Sequence, residues 1–400
     1  MNWISKRIQN LSESETLAMS KKSRELKAQG HKVINLSIGE PDFNTPEFIK
    51  EAGKEAIDQN FTHYPPVSGY PELREAISQK LKRDNDLDYP PDQIVVSAGA
   101  KHSIANVILA LVDPGDEVLI PVPYWVSYKE LVKLAEGKSV FIQAPIEQDF
   151  KITAQQLEAA ITPRTKLMIY SSPCNPSGSV YTNEELKAVA AVLKKHPRVH
   201  VISDEIYEHI NFTGKHCSLA SFPEIKDQVI VINGVSKGFS MTGWRLGYMA
   251  ATKSIAQACD KLQGQVTSGI CTISQRASIA ALLADPVKSE DLINMQRAFL
   301  KRRDLVLDLL GQIPDITVNK PAGAFYVFPD VSAYFGKSFG SGKIENSAEL
   351  CDYLLNEVHV ALVAGSAFGN NNCIRLSYAT SEDLLIEAIE RIRKALENLK

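Results

Sequence analysis

No apolar run in the chain approaches the roughly 20 residues needed to span a bilayer, which argues against a transmembrane helix. The six cysteines (Cys174, Cys217, Cys259, Cys271, Cys351, Cys373) lie far apart and form no CxxC pair. That spacing excludes a small disulfide scaffold and fits reduced thiols in a cytoplasm, most of them acting as small buried apolar residues. No metal site is expected. A basic excess is also missing: 44 Lys and Arg stand against 47 Asp and Glu, for a net charge of −3. Nothing in that balance supplies a footprint for nucleic acid or a polybasic tail for a membrane surface. The GxGxxG fingerprint of a Rossmann dehydrogenase is absent, as are internal repeats, low-complexity tracts and long linkers. The first residues, Met1-Asn2-Trp3-Ile4-Ser5-Lys6-Arg7, lead into a charged amphipathic segment rather than a signal-peptide core. The expectation is a soluble, cytoplasmic protein.

What remains is ordinary globular material of unusual order. The 400 residues are 44% apolar and 23% charged, enough to bury a large core in two or more domains. Short apolar strands alternate with helical runs: Ile94–Ser97, Glu117–Pro121, Lys166–Tyr170, Val199–Ser203 and Val229–Ile232. Helical patterns from Ile104 to Leu111 and from Glu184 to His196 fall between them. Nearly continuous apolar strands separated by helices predict an α/β fold, a mostly parallel sheet covered on both faces. The last third changes character, with a helix-rich stretch from about Asp285 to Leu310, then Ala324-Phe325-Tyr326-Val327-Phe328-Pro329, and a helix from Glu382. We therefore expect a large α/β domain over 46–285 and a smaller α+β domain over 286–400, with segment 1–45 packing against the latter.

Each strand runs into a polar cluster. Ser236-Lys237-Gly238 follows the strand at Val229–Ile232, and Arg245 lies eight residues beyond Lys237. A lysine presented at the carboxyl edge of such a sheet, near apolar groups and a second cation, has a lowered pKa and can form Schiff bases. The alternative is two solvated surface charges. Gly99-Ala100-Lys101 opens a helix whose free N–H groups can hold a phosphate, although many such turns bind nothing. Ser172-Pro173-Cys174-Asn175-Pro176 stiffens the backbone around Asn175, or is a plain proline turn. Asp204, with Tyr207 three residues on, can set a carboxylate and a phenol against one planar ligand, or can cap a helix. A buried carboxylate beside a ring nitrogen would favour the protonated ring that an electron-sink cofactor requires.

Taken in order, Gly-Ala-Lys, Pro-Tyr-Trp, Asn-Pro-Ser-Gly, Asp-Glu-Ile-Tyr, Ser-Lys and Arg-Leu-Gly resemble the fold-type I pyridoxal-phosphate aminotransferases. Ile38-Gly39-Glu40-Pro41-Asp42-Phe43 and Cys373-Ile374-Arg375-Leu376-Ser377 extend the resemblance over nearly the whole chain, most closely to the bacterial-type (Iβ) aspartate aminotransferases. The resemblance implies pyridoxal 5′-phosphate bound to Lys237, which then acts as the base of a 1,3-proton shift. It implies Asp204 on the pyridine nitrogen, Asn175 and Tyr207 on the 3′-oxygen, and Trp125 stacked on the ring. Arg245, Ser236 and the Ala100 and Lys101 amides would hold the phosphate, and Arg375 would clamp the substrate α-carboxylate near Gly39 and Asn175. Tyr64 matches a tyrosine that reaches the phosphate of a neighbouring subunit, which implies a homodimer with shared sites.

An acidic substrate needs a second cation, and the resemblance places Lys101 there, with Thr16 nearby. Aspartate with 2-oxoglutarate, in ping-pong order, is the pair this implies. Ser12 aligns with a basic position of prephenate-using relatives and lacks the charge. Aromatic, kynurenine or prephenate/arogenate transamination, or C–S lysis, are the neighbouring alternatives. A non-catalytic cofactor-binding regulator is a further one, for which the short N-terminal stretch leaves no room for a DNA-binding segment.

Overall fold

A computed structural model describes residues 3–13, 15–340 and 342–400; Met1 and Asn2, quoted above, lie outside them. The strands in chain order are β1 (Ile34–Asn35), β2 (Ile94–Ser97), β3 (Glu117–Val122), β4 (Lys138–Gln143), β5 (Thr165–Ser171), β6 (His200–Asp204), β7 (Val229–Gly234) and β8 (Gly247–Ala250). They are followed by β9 (Tyr326–Val327), β10 (Ser338–Phe339), β11 (Gly342–Lys343), β12 (Val360–Ala361), β13 (Val363–Ala364) and β14 (Ile374–Ser377).

Seven of them make one sheet in the order β2-β8-β7-β6-β5-β3-β4. Only β8 runs against its neighbours; the other pairings are parallel. The five predicted strands are all present. Their residues are almost wholly buried because helices cover both faces of the sheet. One apolar cluster packs on one side around Leu73, Ile77 and Val231, and another on the other side around Ile104, Val118 and Ile230.

Two strands escaped the sequence pattern. β4 is the sheet edge, with polar, exposed Lys138 and Gln143, so it lacks the apolar run that marks its neighbours. β8 begins at Gly247, two residues after the cavity-facing Arg245, and is only four residues long.

The two helical segments read from the sequence form helices Ala100–Leu111 and Asn183–Leu193. Thr182 caps the second by accepting from the Glu185 amide, while Glu185 reaches back to the Thr182 amide. Beyond the sheet, helices Lys253–Val266, Thr272–Leu283 and Glu290–Leu310 precede the small β9, β13 and β14 sheet. β1 pairs in parallel with β12, so an N-terminal strand is completed by residues more than 300 positions away. Met19, Val33 and Leu36 join Phe299, Phe325 and Leu350 in one buried cluster there. Among the described residues no helix is long and apolar enough to cross a membrane.

Candidate active site

Parallel strands all point their carboxyl ends at one edge of the sheet, and that edge is where the polar clusters meet. Asp204 is the last residue of β6 and registers with Ser171 of β5 and Ile232 of β7. Lys237 follows β7 by three residues, and the helix Ala100–Leu111 starts three residues after β2. Together they wall a cavity of about 280 Å³, near the low end of the usual ligand-pocket range of roughly 300–1,000 Å³. Thr16, Gly39, Ala100, Lys101, Trp125 and Asn175 line it, as do Asp204, Tyr207, Ser236, Lys237, Arg245 and Arg375.

Two residues read from the sequence lie elsewhere. Tyr64 is 95% exposed and does not reach the cavity of its own chain. Ser12 lines a neighbouring pocket with Glu13, Glu15, Lys129 and Glu130, and its amide donates to the Glu130 carboxylate.

Electrostatics set the character of the cavity. Lys101, Lys237, Arg245 and Arg375 face it, whereas Asp204 is the one carboxylate among its described lining residues. The Lys237 ammonium donates to the Gly39 carbonyl and lies 5.9 Å from the ring centres of Tyr207 and Phe325. Burial brings its pKa down to about 8; Glu40 opposes the shift, and Arg375 and Arg245 add to it. An amine so placed is available unprotonated near neutrality, as the sequence reading required.

Asp204 shows the opposite effect. Burial lifts its pKa to about 6, against hydrogen bonds from the Tyr128 hydroxyl (2.7 Å) and the Ile206 amide (3.3 Å) that favour the charged form. Its folded value therefore lies above its unfolded value of 3.8. The penalty of the buried charge is absent below pH 3.8, grows between there and pH 6, and is fully present above that. Asp204→Asn should accordingly stabilise the ligand-free protein by up to about 3 kcal/mol at pH 7 and by almost nothing near pH 4. Urea unfolding at the two pH values checks this.

Arg375, on β14, is only 2% exposed. It donates to Asn175 Oδ1 (3.0 Å) and to the Ser37 carbonyl (2.5 Å), and its guanidinium carbon lies 4.6 Å from the Tyr326 ring centre and 5.0 Å from that of Phe368. Its Nε is buried without a partner. Arg245 is tethered to the Thr242 and Ala98 carbonyls at 2.9 and 3.1 Å. Gly99, at φ +88°, makes room for it: a Cβ there would stand 2.4 Å from Arg245 Nη2. The Lys101 ammonium lies 4.9 Å from the centre of the Trp125 ring, which shares the cavity lining with it, and burial and then the Arg245 charge lower its pKa.

Three contributors were missed in the sequence. Tyr128 orients Asp204; Tyr326 bonds the Tyr207 hydroxyl at 2.8 Å and lies against Arg375; and the Ser37 carbonyl holds Arg375. Tyr128 stands one helical turn after Trp125, a spacing that could have been read; Tyr326 sat in the run Ala324–Pro329, read only as part of the small α+β domain. The buried group Glu205, Glu208 and His216 is close enough to suit a metal, but Lys80 and Asn85 already bond Glu208, while Ser203, Ser218 and His216 bond Glu205.

The profile of aminotransferase class I and II matches residues 31–392. This chain belongs to that family. Among curated aminotransferases, the chain is 47% identical over 399 residues to a bifunctional aspartate aminotransferase and glutamate/aspartate-prephenate aminotransferase of Petunia hybrida, covering 99% of this chain and 83% of that one. It is also 47% identical to an aspartate aminotransferase of Geobacillus stearothermophilus, covering 98% and 99%. The structure superposes on an aspartate aminotransferase from Rhizobium meliloti with a TM-score of 0.96, 41% identity and full coverage of both chains. It also superposes on the Thermus thermophilus enzyme with maleate, with a TM-score of 0.92, 38% identity and coverage of 99% and 100%. The expected fold class is thus that of the aminotransferase family, and the chain is an aminotransferase.

The donor set fits a flat, anionic, ring-bearing cofactor. A buried carboxylate faces an amine of lowered pKa, a helix N-terminus with an arginine beside it can take a phosphate, and a tryptophan half-exposes its ring.

Proposed function

We propose that the protein moves the amino group of L-aspartate to 2-oxoglutarate, giving oxaloacetate and L-glutamate, with pyridoxal 5′-phosphate as cofactor and in ping-pong order. The observation that carries the substrate choice is the Lys101 ammonium over the Trp125 ring, a second cation lining the cavity of the buried Arg375. A dicarboxylate can meet both: Arg375 takes the α-carboxylate through its planar fork, and Lys101, with the Thr16 hydroxyl, takes the distal one. The maleate of the Thermus structure is likewise a four-carbon dicarboxylate.

Bound pyridoxal phosphate supplies an electron sink for the bonds at the substrate α-carbon. Lys237 would hold that group covalently, and its Nζ, once freed by substrate, would take the α-proton and return it one position along. Asp204, held by the Tyr128 hydroxyl, would pair with the ring nitrogen and keep its proton in place. The Asn175 side-chain amide, whose oxygen is engaged by Arg375, and the Tyr207 hydroxyl hold the 3′-oxygen. Trp125, on the cavity wall, would cover the ring. Arg245, Ser236 and the first amides of helix Ala100–Leu111 hold the phosphate, as four N–H groups of any helix start lack intrahelical partners. Tyr64, too exposed to serve its own chain, would reach the phosphate held by a second copy, making the protein a homodimer with shared sites. The division into domains 46–285 and 286–400, with 1–45 on the smaller one, and a cytoplasmic location belong to the same reading.

Prephenate finds less support: at Ser12 three glutamates surround a single lysine, Lys129. A comparison of amino donors tests the proposal. Lys101→Ala should raise the KM for aspartate about tenfold, the value of a lost charge-assisted bond, and change that for an aromatic donor by less than about twofold. Equal effects on both donors would remove Lys101 as the distal-carboxylate partner.

A further inference from the structure

The loop that carries Tyr64 is free at its tip and rigid at its base. Between Phe61 and Tyr70 the chain runs over the surface, yet three side chains from two helices hold its ends. Thr272 donates to the Phe61 carbonyl, and Gln275 accepts from the Tyr70 amide at 2.8 Å. The third is Gln263, on helix Lys253–Val266, which is fully buried and makes four hydrogen bonds.

Its geometry is a junction. Gln263 Nε2 donates to the Val67 and Val96 carbonyls, both at 2.8 Å. Its Oε1 accepts from Ser97 Oγ at 2.7 Å and from Asn106 Nδ2 at 2.9 Å. One carboxamide thus joins the Tyr64 loop, through Val67, to the end of β2 and to the helix that begins at Ala100. A backbone bond from the Val96 amide to the Ser68 carbonyl, 3.0 Å, lies alongside. β2 and that helix frame the turn at Gly99, where Arg245 and the first helical amides gather.

A polar side chain in a helix–sheet contact costs desolvation that a leucine would avoid. Here both N–H groups and both lone-pair directions of the carboxamide are satisfied, which makes its position, and that of the loop, unique. The loop cannot shift relative to the phosphate turn without breaking the part-buried bond from Gln263 to the Val67 carbonyl.

We infer that Gln263 is a positioning residue that sets the reach of Tyr64, tying the loop that serves a second copy's phosphate to the strand that leads into the chain's own phosphate turn. This rests on the shared-site reading of Tyr64 given above. The consequence is that the two phosphate sites of a dimer are mechanically linked through each Gln263.

The test titrates the stripped protein with pyridoxal phosphate and follows its absorbance. Tyr64→Phe should weaken binding about tenfold, as expected for a lost bond to a charged group. Gln263→Glu keeps the oxygen that Ser97 and Asn106 use and can donate to at most one of the two carbonyls; it should weaken binding about fivefold. Because Gln263 acts through Tyr64, the double variant should be no weaker than Tyr64→Phe by more than about twofold. Gln263→Met replaces it if the acidic variant does not fold. Hybrid dimers then separate the two sites. With Lys237→Ala and Gln263→Glu on the same chain and a wild-type partner, the one live site receives its Tyr64 from the altered loop, and its cofactor requirement should rise. With the two changes on different chains, the live site receives an unaltered loop, and its requirement should stay that of wild type.

Multiplying effects in the double variant, or a raised requirement in the second hybrid, would overturn the inference and leave the shared site standing. So would a Gln263→Glu protein that binds as tightly as wild type while Tyr64→Phe does not. If Tyr64→Phe itself binds as wild type, the shared-site reading falls and takes the inference with it.

Discussion

Lys237→Ala will lower transamination turnover by about ten-thousand-fold, the upper range for loss of a positioned acid–base group. Borohydride will then no longer fix pyridoxal phosphate to the protein, whereas in the wild type it will do so at residue 237. Both expectations follow from one placement. The Lys237 amine sits between the Gly39 carbonyl and the rings of Tyr207 and Phe325, with its pKa held near 8 by burial. Such an amine loses its proton at small cost near neutrality, attacks a carbonyl, and once freed can carry a proton over a short distance. Lys101, the other lysine among the described cavity-lining residues, has its ammonium over the Trp125 ring and is not expected to substitute. The measurement is turnover with aspartate beside the absorbance of the bound cofactor. If Lys237→Ala retains more than about one per cent of wild-type turnover, well above the acid–base expectation, the lysine is not the proton carrier. Adding a small free amine should restore part of the lost rate, since it supplies the missing proton carrier, though not the covalent anchor.

Much of this was legible in the sequence because parallel sheets concentrate function at one edge. Once Ile94–Ser97, Lys166–Tyr170, Val199–Ser203 and Val229–Ile232 read as buried parallel strands, the residues just past them had to converge. That rule puts Gly99, Asn175, Asp204 and Lys237 at one edge, while the choice between a ligand role and a plain turn, cap or surface charge came from the resemblance. Arg375 and Gly39 are different. They come from opposite ends of the chain and meet through the pairing of β1 with β12 and of β13 with β14, long-range contacts that no local period announces. Only the resemblance placed them.

Tyr128 and Tyr326 stayed hidden for a further reason. A tyrosine in an apolar run looks like core, and both are core by burial; the hydroxyl at the end decides their role. β4 was missed because an exposed edge strand loses the apolar signature that buried strands carry. Tyr64, 95% exposed, meets no cavity of its own chain, and the role proposed for it needs a second copy.

Arg375→Leu should reduce kcat/KM for aspartate by about a hundred- to a thousand-fold and should not destabilise the protein. The first part follows from the cost of losing a buried partner for the substrate carboxylate, about 3–4 kcal/mol. The second follows from what Arg375 touches. Among the described residues its partners are a carbonyl, an amide oxygen and two rings, with no carboxylate, and one guanidinium N–H is buried and unpaired. Burial lowers its pKa, which is another expression of the same unpaid charge. A buried cation without a counter-ion opposes folding, and an apolar residue of similar volume relieves it. Activity and stability should therefore move in opposite directions, as expected where a site keeps strain for its ligand. Arg375→Lys should recover little, because a point charge cannot present the two parallel N–H groups that a carboxylate takes. The check is a pair of measurements on each variant, kcat/KM and the urea midpoint of stripped protein. Should Arg375→Leu lose stability in step with activity, the guanidinium is a structural strut; a gain or no change in midpoint beside a steep loss of kcat/KM marks it as the substrate's anchor.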